Sequence, residues 1–239
     1  MTELKFHNVR FESAIRNCLS VYDRAITNED AKLVKELVFS DFRFDINDYE
    51  LLGYFENLEI LDVEEVSFSI INHLTCVDSL KEIYISCGYD IIDLSKFVKF
   101  KNLTHLHISG GIYSSMNIIN LESLLECKKL VYLWFHEFGS IDLFHLKEFY
   151  QLKEFACLFA NEVKNIESVG YLKNLEYLEL TDIEVSNLEF LENLSEETEV
   201  SLCGLRIRNE ADLSILKRFK KIEADELEKW NSTYWERIT

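Results

Sequence analysis

Residues 166–180 read Ile166-Glu-Ser-Val169-Gly-Tyr-Leu172-Lys-Asn-Leu175-Glu-Tyr-Leu178-Glu-Leu180. Apolar residues recur here in steps of three and close on a step of two. The final step marks a strand, because alternate side chains of an extended chain share one face. Steps of three are too short for a regular α-helix and suit 3₁₀ turns, where residues i and i+3 line up. Working outward, the same ruler fits Tyr49, Leu52, Phe55, Leu58, Leu61, Val63, then Ile71, Leu74, Val77, Leu80, Ile83, Ile85, and then Leu121, Leu124, Cys127, Leu130, Leu133, Phe135. The position before each strand-like pair falls at 58, 80, 103, 130, 152, 175, 197 and 219, at spacings of 22, 23, 27, 22, 23, 22 and 22. Chance clustering of leucines does not hold phase over so many intervals.

A repeat of this length and composition is a leucine-rich repeat. Leu175-x-x-Leu178-x-Leu180 resembles the family's L-x-x-L-x-L core. The short period and three-residue steps are similar to the internalin-type bacterial subclass. That resemblance implies an α/β repeat solenoid, a horseshoe with a parallel concave sheet and 3₁₀ turns or short helices on the convex side. About 22 residues per unit leave little room for a full helix. It also implies an Asn soon after each strand, stacked into a ladder. This chain departs there, with residues such as Gly88, Gly111 and Ile183 in those places.

The chain divides into a helical N-terminal cap with a first strand (1–40), an array of about eight units (41–224) and a C-terminal cap (225–239). Phe11, Ala14, Ile15, Cys18 and Leu19 share a helical face. Thr27-Asn-Glu-Asp30 reads as a second helix start, with Thr27 as N-cap. This helix should run to about Glu36 and feed a strand at 37–39. Such a pair covers the apolar end that a first repeat exposes, and it resembles the internalin-type cap. Residues 1–8 carry no signal. Trp230, Tyr234 and Trp235 are expected to close the other end. Ser109–Asn120 exceeds the connection of other units; it reads either as tolerated drift in repeat length or as a rim loop carrying Tyr113 and Met116 towards a partner.

Composition narrows the function. Apolar residues make up 48% of the 239, which argues against disorder. No run approaches the roughly 20 apolar residues of a membrane span. Met1-Thr-Glu-Leu-Lys-Phe6 lacks the apolar run of a signal peptide, so the expected location is the cytoplasm. The six cysteines form no C-x-x-C pair and read as reduced core residues. A net charge of −18 argues against nucleic acid as ligand; it reads first as the charge that keeps a large solenoid surface soluble, and alternatively as steering for a basic partner. P-loop, G-x-G-x-x-G, H-E-x-x-H and G-x-S-x-G patterns are absent, so no catalytic residue, cofactor or metal is expected.

Residues between the frame positions of each strand point to the concave face. Tyr84, His105, His107, Tyr132, Trp134, His136 and Tyr177 place aromatic rings at its centre, with Asp62, Glu82, Glu154 and Glu179 around them. Aromatic anchors ringed by charge are the make-up of a protein-binding hot spot. The histidines lack a carboxylate or thiol at ligand spacing, so they read as contact residues whose protonation alters binding near pH 6–7. The expectation is a monomeric, non-enzymatic protein-binding module, most specifically an immunity protein that inhibits a basic toxin. A general scaffold or regulator is the alternative, and the internalin resemblance adds a secreted adhesin or effector. A metal-dependent enzyme at the histidines ranks last.

Overall fold

The computed structural model describes residues 1–39, 46–88, 91–110, 116–209, 212–230 and 235–238, with the side chains of Trp230 and Trp235 excepted. Nine strands lie side by side in chain order: Glu36–Phe39, Ile60–Val66, Glu82–Cys87, His105–Ser109, Tyr132–Asp142, Glu154–Lys164, Tyr177–Thr181, Glu199–Cys203 and Lys221–Asp225. Every neighbouring pair is parallel. Short 3₁₀ helices carry the chain back between them, among them Leu121–Glu126, Ile166–Tyr171 and Glu189–Asn193. This is a leucine-rich-repeat solenoid, and its core is the stack of frame residues. Leu133, Phe155, Leu178 and Val200 adjoin in register and are all buried.

The frame slips by one residue in two places. Cys76 is buried where Val77 was expected, and Val77 is half-buried. Glu197 stays in solvent while Thr198 turns inward, its hydroxyl donating to the Leu175 carbonyl at 2.8 Å. An exposed carboxylate beside a satisfied hydroxyl costs far less than a buried charge. Cys127 and Cys157 are buried free thiols on the frame. Burial pushes the Cys127 thiol up to about 11.

The turns are built by backbone conformation rather than by an Asn stack after the strand. Glu65, Glu137, Phe159, Asp182, Gly204 and Glu226 all hold left-handed φ between 49° and 62°. Each lies two residues past the last frame residue of its strand. Asn side chains do stitch units together, but elsewhere. Asn57, Asn102 and Asn174, just before strands, donate to carbonyls of the preceding unit at 2.6–2.9 Å. Asn120 and Asn165, at helix starts, donate to Asp93 and Asp142.

At the N-terminal end, helix Val9–Leu19 is capped by Asn8 and packs Phe11 edge-on against Phe39 of the first strand, ring centres 5.2 Å apart. Thr27 forms a capping box with Asp30, but the helix it starts is one turn, Asn28–Ala31, not a run to Glu36. Residues 1–8 have a structural part that the sequence did not signal. The Leu4 N–H donates to the Ile26 carbonyl, and the His7 and Asn8 N–H groups each donate to the fully buried Asp48 carboxylate at 2.8 Å. At the other end, Glu228–Trp230 pairs with Arg206–Ile207 and with Trp235–Arg237, burying Leu227. The aromatic closure expected of Trp230, Tyr234 and Trp235 lies outside the described side chains.

Candidate functional site

Strand register sorts the open face of the sheet into rows. One row runs Asp62, Tyr84, His107, Trp134, Ala156, Glu179. The next runs Glu82, His105, Tyr132, Glu154, Tyr177, Glu199. All eleven residues expected on this face, His136 included, lie on it and are half-buried. Alternation in parallel strands at equal register accounts for this, since one frame position fixes every outward neighbour.

The rings form one connected cluster. Tyr132 and Trp134 stack with centres 5.0 Å apart and planes 12° from parallel. Trp134 also stacks on Tyr177, at 6.0 Å and 18°. These two are on strands separated by a third, roughly 10 Å in all. The reach is open because the intervening residue is Ala156, whose methyl lies fully buried. Tyr84 meets Tyr132 and His107 edge-on, and His107 meets Trp134 and His136. Two hydrogen bonds fix the margins: the Tyr84 hydroxyl donates to Glu82 and the Tyr177 hydroxyl to Glu179, both at 3.0 Å.

Burial and neighbouring carboxylates hold these phenols neutral. Burial first, then Glu179, pushes Tyr177 up to about 12. Burial and then Glu82 raise Tyr84, and burial raises Asp62. His107 moves the other way: burial, with His136 adding repulsion, lowers it to about 4. His107 is therefore neutral at pH 6–7 and is not the pH-sensitive contact expected from sequence. Its Nε2 and the Trp134 Nε1 are buried without a hydrogen-bond partner. Such orphans cost stability, and a phenylalanine at either place would avoid the cost.

The rim loop expectation needs correction. Met116 is buried, and its carbonyl accepts the Gly139 N–H at 2.6 Å. It leads into strand Asn117–Ile119, which pairs with Ile92–Asp93 and with Ser140–Ile141, so its side chain joins the core. Tyr113 lies outside the described residues. Phe159, by contrast, was not anticipated. It belongs to the left-handed turn row, remains 44% exposed and packs edge-on against His136 at 5.3 Å. The available signal was a phenylalanine at a turn position where the other left-handed turns of the row carry Glu, Asp or Gly.

Among the described residues no three His, Cys, Asp or Glu side chains converge as a metal site. Ser109 Oγ lies 3.3 Å from His136 Nδ1 and also donates to the Gly110 carbonyl. No hydrogen bond between His136 and a carboxylate accompanies that pair among the described residues. No helix among them is long and apolar enough to cross a membrane.

No protein-family model matches the sequence, and no curated protein sequence does. Solved structures do match. Internalin C2 from Listeria monocytogenes is similar with a TM-score of 0.67 at 16% identity, over 93% of this chain and 94% of that one. Internalin F from the same organism gives 0.62 at 19%, over 95% and 72%. A chain of a TLR13–ssRNA13 complex gives 0.52 at 12%, over 87% of this chain and 35% of that one. At such identities the likeness is one of fold: a leucine-rich-repeat arc of the internalin kind.

Proposed function

We propose that this chain is a non-enzymatic protein-binding module that engages its partner through the concave face. The observation that carries the reading is the continuous stack Tyr132–Trp134–Tyr177, half-exposed at the centre of the sheet. The core does not need these rings, because the frame residues on the opposite face already fill it. Large rigid aromatics at the middle of a concave surface are the usual anchors of protein interfaces.

Charge narrows the partner. The strand positions facing this surface carry Glu36, Asp62, Glu82, Glu154, Glu179, Glu199 and Glu223 against the single Lys221. A phosphate backbone would be repelled here, so the RNA named with TLR13 is a poor guide to this surface. A basic protein would be steered onto it. The specific case we put forward is an inhibitor or immunity protein that covers a basic toxin in the cytoplasm, acting as a monomer. A scaffold with weaker partners uses the same surface.

The test is capture from native lysate with the intact protein and with a Tyr132→Ala/Trp134→Ala double variant of unchanged circular dichroism. A basic protein retained by the first, lost by the second and released by salt supports the proposal. Identical retention by both removes the concave face from the account.

A further inference from the structure

Beside Trp134 the concave face deepens into a hollow of about 510 Å³, lined by Trp134, Tyr177, Glu154, Glu176, Glu199 and Lys221, with Glu197 at its edge. Its carboxylates are not equivalent. Glu176 is paired with Lys153 at 2.6 Å, Glu199 with Lys221 at 3.0 Å, and Glu197 with Lys220. Glu154 alone has no cation, although it is the innermost of the four. In register it sits between Tyr132 and Tyr177, directly under the edge of the ring stack. The Tyr177 ring is fixed in place by its hydroxyl, which donates to Glu179.

Resting on the concave-face reading above, we infer that this hollow takes an arginine side chain of the partner, laid against the stacked Trp134–Tyr177 pair and held by Glu154. A stacked ring pair attracts a cation to its outer face through the ring quadrupoles. A carboxylate at its foot without a counter-charge supplies the complementary half. Only a guanidinium satisfies both at once, because its plane lies on the rings while its N–H edge forks onto a carboxylate. A lysine ammonium is a compact, strongly hydrated charge and gains less from the rings. Lys221 already occupies the far side of the hollow on Glu199, leaving the Glu154 side for the incoming group.

The probe is N-acetyl-arginine amide, followed through the Trp134 indole N–H resonance, which is assigned with Trp134→Phe. Its lysine and citrulline counterparts are run beside it. Citrulline keeps the shape of arginine and lacks the charge. The expected result is a saturable shift of the Trp134 signal with half-saturation on the order of 10 mM, at least several-fold weaker with the lysine probe and absent with citrulline. In Glu154→Gln, of unchanged spectrum elsewhere, the arginine response falls at least several-fold. No saturable shift, an equal shift with citrulline, or an undiminished shift in Glu154→Gln overturns the inference. These outcomes are separate from the lysate capture. If the partner is lost by Tyr132→Ala/Trp134→Ala but held fully by Glu154→Gln, the arginine site falls and the concave face stands.

Discussion

At the scale of single residues, two side chains carry costs that packing alone would not select. Phe159 holds a left-handed backbone that a bulky L-residue adopts at roughly 1–2 kcal/mol, and nearly half of it remains in solvent. Deleting its ring should therefore cost little. Phe159→Gly is expected to leave stability within about 1 kcal/mol, whereas Phe155→Ala, four residues earlier and fully buried, should lose about 3–5 kcal/mol. Urea denaturation of the pair checks the contrast. His107 is the second case. Its pKa is about 4 in the fold against about 6.5 in the unfolded chain. Between these values the unfolded state holds a proton that the folded state refuses, so stability present above pH 6.5 is lost as pH falls towards 4. Up to about 2 kcal/mol should disappear between pH 6.5 and 5. His107→Phe should flatten that segment of a urea-midpoint profile, and an unchanged slope would refute the assignment. Glu59, which Lys35 and Lys81 hold at about 2, acts only at lower pH.

At the scale of elements, the strands were legible and the turns were not. A strand reports itself in sequence because burial forces apolar residues into a fixed period, and Leu175, Leu178 and Leu180 have no alternative place to go. A left-handed turn at Glu65, Glu137 or Phe159 leaves no such trace, since only Gly204 in that row is the residue type the conformation favours. Met116 was misplaced for a related reason. A long connection reads as surface in sequence, yet the chain resumes pairing at Asn117–Ile119 and buries alternate side chains there. The N-terminal segment was silent because its anchor is a side chain forty residues away. Asp48 accepts the His7 and Asn8 N–H groups, and no local pattern encodes that. Asp48→Ala should cost about 2 kcal/mol and speed hydrogen exchange of residues 4–8 selectively. Unchanged protection there would mean that the segment is held by other contacts.

At the scale of the whole molecule, the solenoid separates two tasks between the faces of one sheet. The inward face is filled by frame residues and fixes the fold, so the outward face is free to carry rings and carboxylates that the core does not use. The membership of that face was readable from the sequence, because the frame sets every outward neighbour. What it lacked was depth: the gap that Ala156 leaves for the Trp134–Tyr177 stack, the orphaned nitrogens and the uncompensated Glu154 appear only when neighbouring units are set side by side. The reading of that face as an interface rests on Trp134. The direct measurement is the dissociation constant of the partner complex for Trp134→Ala against the intact protein, by calorimetry, with the urea midpoint recorded for both. The account predicts a loss of at least about 2 kcal/mol in binding with a single cooperative urea transition retained. An unaltered dissociation constant would contradict it and leave the stack as sheet packing alone.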